Sequence, residues 1–293
     1  VLLAIVLLFG SFSFVADWLV SKNDSKAFRN RETGVQRGAE AFTLGHQDAS
    51  GAVLFVHGFV GGANNFADVP ERIAAAGWYV EVLRLPGHGT SPRDLAGISS
   101  DELVAYVLQR AQSLANEYKT LVLVGHSMGG ALSTLIAAQG LADKLVLAAP
   151  YFGVTHRWYY GLRPETWARL TAPIVPWMYK GNLFLQLNRV EAKKDVFSYS
   201  WVPAAAVRTL MDLGQRARQP SLLEQVTCPT LMLHAPGDAA ASYVAARQAW
   251  NLMASEEKRF IELPASNHHV FFDFDREQVA REIIVFIGEP SSP

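Results

Sequence analysis

The stretch LVLVGHSMGGALSTLIAA, Leu121 to Ala138, restricts what this chain can fold into more than any other. Four apolar residues run into Gly125-His126-Ser127-Met128-Gly129, and an alanine-rich helical pattern follows at once. A strand that passes directly into a helix must turn sharply, so the residues two before and two after the apex crowd each other. Both are glycine here, and neither brings a Cβ into the bend. The apex residue, Ser127, then projects its hydroxyl from the strand end onto a helix N-terminus, where free N–H groups favour developing negative charge. A plain glycine-lined turn with an N-cap serine would use the same letters. The strand–turn–helix context is what favours a nucleophile at position 127.

The surroundings repeat that rhythm. From about residue 40, apolar runs alternate with amphipathic stretches. Strands are expected at Gly51–Gly58, Gly77–Leu85, Leu121–Val124, Lys144–Ala148, within Pro229–Asp238, and at Lys258–Leu263. Helices are expected near Phe66–Ala76, from Ser100 to about Tyr118, and at Met128–Gln139, Ser242–Met253 and Arg276–Ile287. Ser99 and Glu102 have capping-box spacing at the head of the second of these. Near-continuous apolar strands separated by helices imply an α/β fold, a mostly parallel sheet with helices on both faces. The rhythm lapses from residue 151 to about 225, where prolines and aromatics such as Tyr151, Phe152, Trp158, Tyr159, Tyr160, Trp167, Trp177, Phe184, Tyr199 and Trp201 concentrate. That segment reads as a helical cap inserted between two parts of the core, 40–150 and 226–293. Its aromatics would either wall an acyl pocket or form the cap's own small core.

Composition excludes some classes of function. The formal net charge of −1, with no basic run in the body, argues against a nucleic-acid binder. One cysteine, Cys228, leaves no disulfide framework and no multi-cysteine zinc site. No metal or organic cofactor is implied. At the N-terminus, residues 1–21 are almost wholly apolar with Asp17 the single charge, and Lys22, Lys26, Arg29 and Arg31 follow in the expected linker 22–39. The length suits a bilayer span, so a single N-terminal membrane anchor is the leading expectation, ahead of a cleaved signal that would leave a secreted or periplasmic protein, and of a soluble core helix. The chain opens on Val1 rather than Met, and further residues are expected upstream.

A neutral serine needs a base, and the base an orienting acid. In this architecture the chain order is Ser, acid, His. Of eight histidines, His268 and His269 follow the last strand, in LPASNHHVFFDFD. The strand Lys144–Ala148 ends without a carboxylate, whereas the next ends in APGD and offers Asp238. Elimination yields Ser127, Asp238, and either of two adjacent histidines. An oxyanion donor is expected from the backbone N–H of Met128, the residue after the nucleophile. His57, His88, His126 and His234 read as structural.

The motifs HGFVGG, PGHGTS, GHSMGG, APGD and SNHHVFFD stand in that order over roughly residues 40–287. In this the chain resembles the serine carboxylesterases and monoacylglycerol lipases of the α/β-hydrolase superfamily. The resemblance implies an α/β-hydrolase fold with an inserted helical cap, and His268 as base, because Ser266, His268 and Asp273 match the family spacing. It implies Phe59 as the second oxyanion donor. Ala239-Ala240-Ala241-Ser242 departs from the family's hydrophobic-then-proline step after the acid. Asp273 and Asp275 are expected to cap the final helix. The activity implied is hydrolysis of carboxylic esters, of small-molecule or lipid origin such as acylglycerols or lysophospholipids. The alternatives are another hydrolase on the same triad (peptidase, thioesterase or carbon–carbon hydrolase) and a membrane-tethered binding protein without catalysis.

Overall fold

The runs Gly51–Val56 and Thr120–His126 are apolar on both sides because both of their faces are covered. A computed structural model describes residues 2–156, 161–162, 166, 170, 175–181 and 185–290. Its sheet strands are β1 (Phe42–Leu44), β2 (Gly51–Val56), β3 (Tyr79–Val82), β4 (Thr120–His126), β5 (Lys144–Ala148), β8 (Thr230–His234) and β9 (Lys258–Glu262). A separate two-stranded hairpin, β6 (Trp177–Tyr179) with β7 (Trp201–Pro203), lies in the inserted segment. The main sheet runs β1-β3-β2-β4-β5-β8-β9, parallel throughout except for β1, which pairs antiparallel with β3. This is the expected α/β-hydrolase fold. β1 was not legible: three half-exposed residues carry no apolar run, and only their pairing with β3 makes them a strand.

Within β2 the alternation is hidden but intact. Ala52, Leu54 and Val56 join the cluster formed with α4 (Ser100–Glu117) and α5 (Met128–Ala137). Val53 and Phe55 point the other way, towards α2 (Val69–Ala75) and α8 (Arg276–Ile287). The first face also takes α6 (Ala204–Ala217) and α7 (Tyr243–Leu252), through Leu213, Ala217, Ala246 and Ala249. A short helix, α3 (Pro92–Ala96), follows β3. α4 opens on a capping box, in which the Glu102 N–H donates to Ser99 Oγ at 3.2 Å and the Ser99 N–H to Glu102 Oε2 at 2.9 Å.

The N-terminal helix α1 (Leu2–Asp24) corrects one expectation. Among the described residues no helix is long and apolar enough to cross a membrane, so the single N-terminal span is not supported. The physical reason lies in the second half of the helix. Asp17, Lys22 and Asp24 interrupt the apolar run, and Asp17 pairs with Arg93 of α3 at 2.6 Å. Ala16 and Val20 are buried against Trp177 of the hairpin. That face rests on protein, where a span would meet lipid. The segment after α1 is likewise tied down: Gln36 N–H donates to Gly89 O at 2.6 Å, and Arg29 reaches Thr90 O at 3.1 Å.

In the inserted segment, Tyr199 packs with Val60, Leu95, Val202 and Ala206. Trp177 serves the α1 contact just described, and Tyr151 lines a cavity over Ser127. Trp158, Tyr159, Tyr160, Trp167 and Phe184, named above as pocket or cap residues, lie outside the described residues.

Candidate active site

Backbone sterics build the site first. A Cβ on Gly129 would stand 1.8 Å from Val56 O, and one on Gly125 would stand 2.4 Å from Gly129 O. No side chain fits either position, so the bend between β4 and α5 closes only on glycine. Ser127, at the apex, has φ 54° and ψ −117°, a conformation that non-glycine residues avoid unless their surroundings impose it. The hydrogen bonds that impose it run from Ser127 N–H to Ala148 O at 3.1 Å, and from Gly130 and Tyr151 N–H to Ser127 O at 2.9 Å each.

His268 Nε2 lies 2.9 Å from Ser127 Oγ, and His268 Nδ1 lies 2.9 Å from Asp238 Oδ2. Two side chains 30 and 141 positions before His268 therefore meet its two ring nitrogens. Asp238 is buried, and burial works against its charge. His268 beside it and the N–H of Ala240, at 2.8 Å from Oδ1, outweigh that penalty, and the carboxyl is held below its usual range. The Ala241 N–H adds a bond at 2.9 Å. The alanine run after the acid, which departs from the family's step, thus supplies two donors to Asp238.

His269 lines the cavity over Ser127 as well, and the bond to Ser127 Oγ is made by His268. The His269 backbone N–H donates to Gln186 O at 3.2 Å, and its ring sits 5.6 Å from that of His126, centroid to centroid. Burial, then the neighbouring His268 and His126, keeps it neutral well below the usual imidazole range. His126 is held down to about 3 by burial, and its Nε2 lies 3.1 Å from the His268 carbonyl, so its ring supports the loop that presents His268. His57 is a backbone clip: Nδ1 donates to Gly58 O at 2.9 Å and Nε2 accepts from Leu85 N–H at 3.1 Å. His88 bonds Pro86 O at 2.9 Å and is held down to about 4 by burial.

The loop after β2 approaches Ser127 closely. A Cβ on Gly58 would stand 3.0 Å from Ser127 Cβ, and Phe59, next in the chain, lines the cavity above it. Met128 is the first residue of α5, so its N–H has no acceptor within the helix. Both predicted oxyanion donors therefore belong to backbone that flanks the serine.

Two features were missed by sequence reasoning. Asn267 Oδ1 accepts from Ala239 N–H and from His268 N–H, both at 3.0 Å, and so ties the acid loop to the base loop. An asparagine beside a candidate histidine was the available signal. Asp273, expected to cap the final helix, is fully buried and accepts from the N–H groups of Asn267, Asn188 and Arg189 at 2.8–2.9 Å. Asp275 does sit at the N-cap of α8, but its carboxylate turns back to Ser266 Oγ at 2.9 Å and makes no cap bond. Helix capping and loop anchoring call for the same residue types, and only tertiary contacts separate them.

A cavity of about 230 Å³ opens over Ser127 and His268. Phe59, Tyr151, Val154, Leu210 and Ala241 give it an apolar wall, while Lys180 and Gln186 stand among its polar residues. The arrangement has what acyl transfer requires: an oriented hydroxyl, a base with its carboxylate partner, and N–H groups near the reacting centre.

Residues 47–275 match the model of a family described as serine aminopeptidase, S33. Over 255 residues the chain is 26% identical to a thermostable monoacylglycerol lipase of a Bacillus species, an alignment that covers 87% of this chain and 96% of that enzyme. A monoacylglycerol lipase of Mycolicibacterium smegmatis is 26% identical over 261 residues, covering 82% and 89% respectively. Among solved structures, one described under the metagenome-derived lipolytic enzymes LipS and LipT superposes with a TM-score of 0.77 at 25% identity. It covers 86% of this chain and 98% of its own.

Proposed function

The chain belongs to the serine aminopeptidase S33 family, whose model spans residues 47–275, and on that premise we propose a mechanism and a substrate class. It is a monoacylglycerol-lipase-like α/β-hydrolase and a serine hydrolase of carboxylic esters. In the proposed mechanism Ser127 Oγ attacks the ester carbonyl while His268 Nε2 takes its proton. The oxyanion that forms is met by the N–H groups of Met128 and Phe59. His268 returns the proton to the departing alcohol, and water, activated by the same imidazole, releases the acid from the acyl-serine. Asp238 fixes the tautomer that leaves Nε2 free to accept, and stabilises the imidazolium. The observation that supports these roles is the unbroken line from Ser127 Oγ to His268 Nε2 to Asp238 Oδ2, 2.9 Å at each step.

The proposed substrates are monoacyl esters of glycerol or a similar small alcohol. The named activity of the two relatives favours them, as does an apolar wall beside the serine suited to an acyl chain. Aminopeptidase chemistry, which the family's description also names, needs a carboxylate to receive a free α-ammonium. Among the described residues that line the cavity, Lys180 is charged and no Asp or Glu is present. A cation there opposes that substrate.

Two measurements test the proposal. A fluorophosphonate should label Ser127 alone, with no labelling after Ser127→Ala. Turnover of monoacylglycerols should fall about 10³-fold or more in His268→Ala and only a few-fold in His269→Ala. The reverse order would reassign the base, and cleavage of anilides or thioesters without esters would refute the substrate class.

A further inference from the structure

Lys180 is the charged side chain that the described inserted segment adds to the catalytic cavity, and the mechanism above does not use it. It follows β6 directly, and its place is fixed by the hairpin. Its N–H donates to Ser200 O at 2.7 Å, and Tyr179 pairs with Trp201 in register. Trp177, three residues earlier, is anchored against Ala16 and Val20 of α1. The side chain is half-buried, and its ammonium donates to Ser198 Oγ at 3.2 Å. Among the described residues no carboxylate forms an ion pair with it.

A buried ammonium has three protons to place, and one neutral hydroxyl is a poor exchange for water. Burial pulls this one down to about 8, so it stays mostly charged at neutral pH. An anion brought into the cavity would supply the missing partner, through a charge-assisted hydrogen bond in a site partly shielded from salt. The position indicates which end of the substrate it would meet. Lys180 acts, behind burial and the neighbouring imidazoles, on His126 and His269, which lie beside the loop of the catalytic histidine. The acyl chain has the apolar wall of Tyr151, Val154 and Leu210. The polar lining residues Lys180 and Gln186 suit the alcohol better than the acyl chain.

We propose that Lys180 is a specificity-determining residue that favours esters whose alcohol carries an anionic group, a phosphate or a carboxylate, over the matching neutral ester. This rests on the ester-hydrolase reading and narrows it. Among the described residues the Lys180 ammonium has Ser198 Oγ and no carboxylate as partner, and a neutral alcohol would not supply an opposite charge. An anionic headgroup would supply it.

The test compares kcat/KM for three octanoyl esters that share one acyl chain: those of glycerol, glycerol 3-phosphate and glyceric acid. Each is measured with wild type, Lys180→Met and Lys180→Arg. The ratio of anionic to neutral ester within each variant cancels any loss of folded protein. The wild type should prefer one or both anionic esters by roughly tenfold or more. Lys180→Met should bring that ratio to one or below, and Lys180→Arg should keep a preference. Preference for the phosphate alone or the carboxylate alone identifies the anion. A wild-type ratio near one, or a preference that survives Lys180→Met, overturns the role of Lys180 and leaves ester hydrolysis standing. Failure to cleave any of the three esters overturns both.

Discussion

The bend at Ser127 and the inserted segment that covers it are held in different ways. At the bend, backbone meets backbone: Cβ atoms at Gly125 and Gly129 would fall 1.8–2.4 Å from carbonyl oxygens, and nothing in a strand or a helix start can move to receive them. The described part of the inserted segment is held largely by side chains: small groups such as Leu185, Leu187, Ala192 and Val196, Trp177 on α1, and α6 against the core through Leu213 and Ala217. Backbone sterics admit one arrangement and forbid the rest. Side-chain packing grades its alternatives by a few kcal/mol each and leaves room to change them. The proposed nucleophile thus sits on the part that cannot vary, and the selectivity proposed for Lys180 on the part that can.

The largest expected effect tests the rigid half. Gly129→Ala should lower kcat/KM by about 10³-fold or more, since misplacing the nucleophile by an ångström costs at least two powers of ten and the clash here is deeper. It should lower Tm as well, and activity assays with thermal melts would check both. A variant with near-wild-type activity would end the contrast, because the bend would then be as adaptable as the cap.

An intermediate effect concerns the buried imidazoles of the core loops. In the fold His88 titrates at about 4 and His126 at about 3, against roughly 6.5 when exposed. Above about pH 6.5 both folded and unfolded chains leave them neutral, and the stability they permit is fully present. Below it the unfolded chain binds protons that the folded chain refuses, so stability is lost as pH falls from about 6.5 towards 4. Tm measured across that window should drop, and His88→Asn should flatten the drop. A flat profile in the wild type would mean that the core loops open to solvent as readily as the insertion.

The smallest effect is expected at the edge of the insertion. Trp177→Ala loosens the hairpin from α1 but touches no part of the bend. Tm should fall by only a few degrees, and the rate of fluorophosphonate labelling at Ser127 should stay within about threefold, because weakly coupled regions open locally. A collapse in labelling would show that the hairpin and the nucleophile form one cooperative unit.

Much of the core was legible because its causes are local. Gly125, Ser127 and Gly129 state their geometry in five letters, and the parallel strands announce themselves as apolar runs bounded by turns. Asp238 could be reached by elimination, since the preceding strand end offers no acid. His268 against His269 was not decided by chain order alone: adjacent residues share their loop, and in the fold it is the His268 imidazole that reaches Ser127 Oγ. The N-terminal reading failed for a related reason. Hydropathy averaged over twenty residues cannot register that Ala16 and Val20 face Trp177, or that Asp17 has a partner in Arg93, both far along the chain.

By itself, then, the sequence determined a parallel α/β core and a serine held at a glycine bend. Steric exclusion and strand periodicity act between near neighbours and leave their mark in the order of residues. Which of two adjacent histidines meets the serine was left open by chain order and implied by the family resemblance. Tertiary structure alone decided that Asp273 anchors a loop instead of capping a helix, and that a lysine from the insertion enters the cavity. Each of these depends on where distant segments come to rest, and that is set by packing summed over the whole molecule.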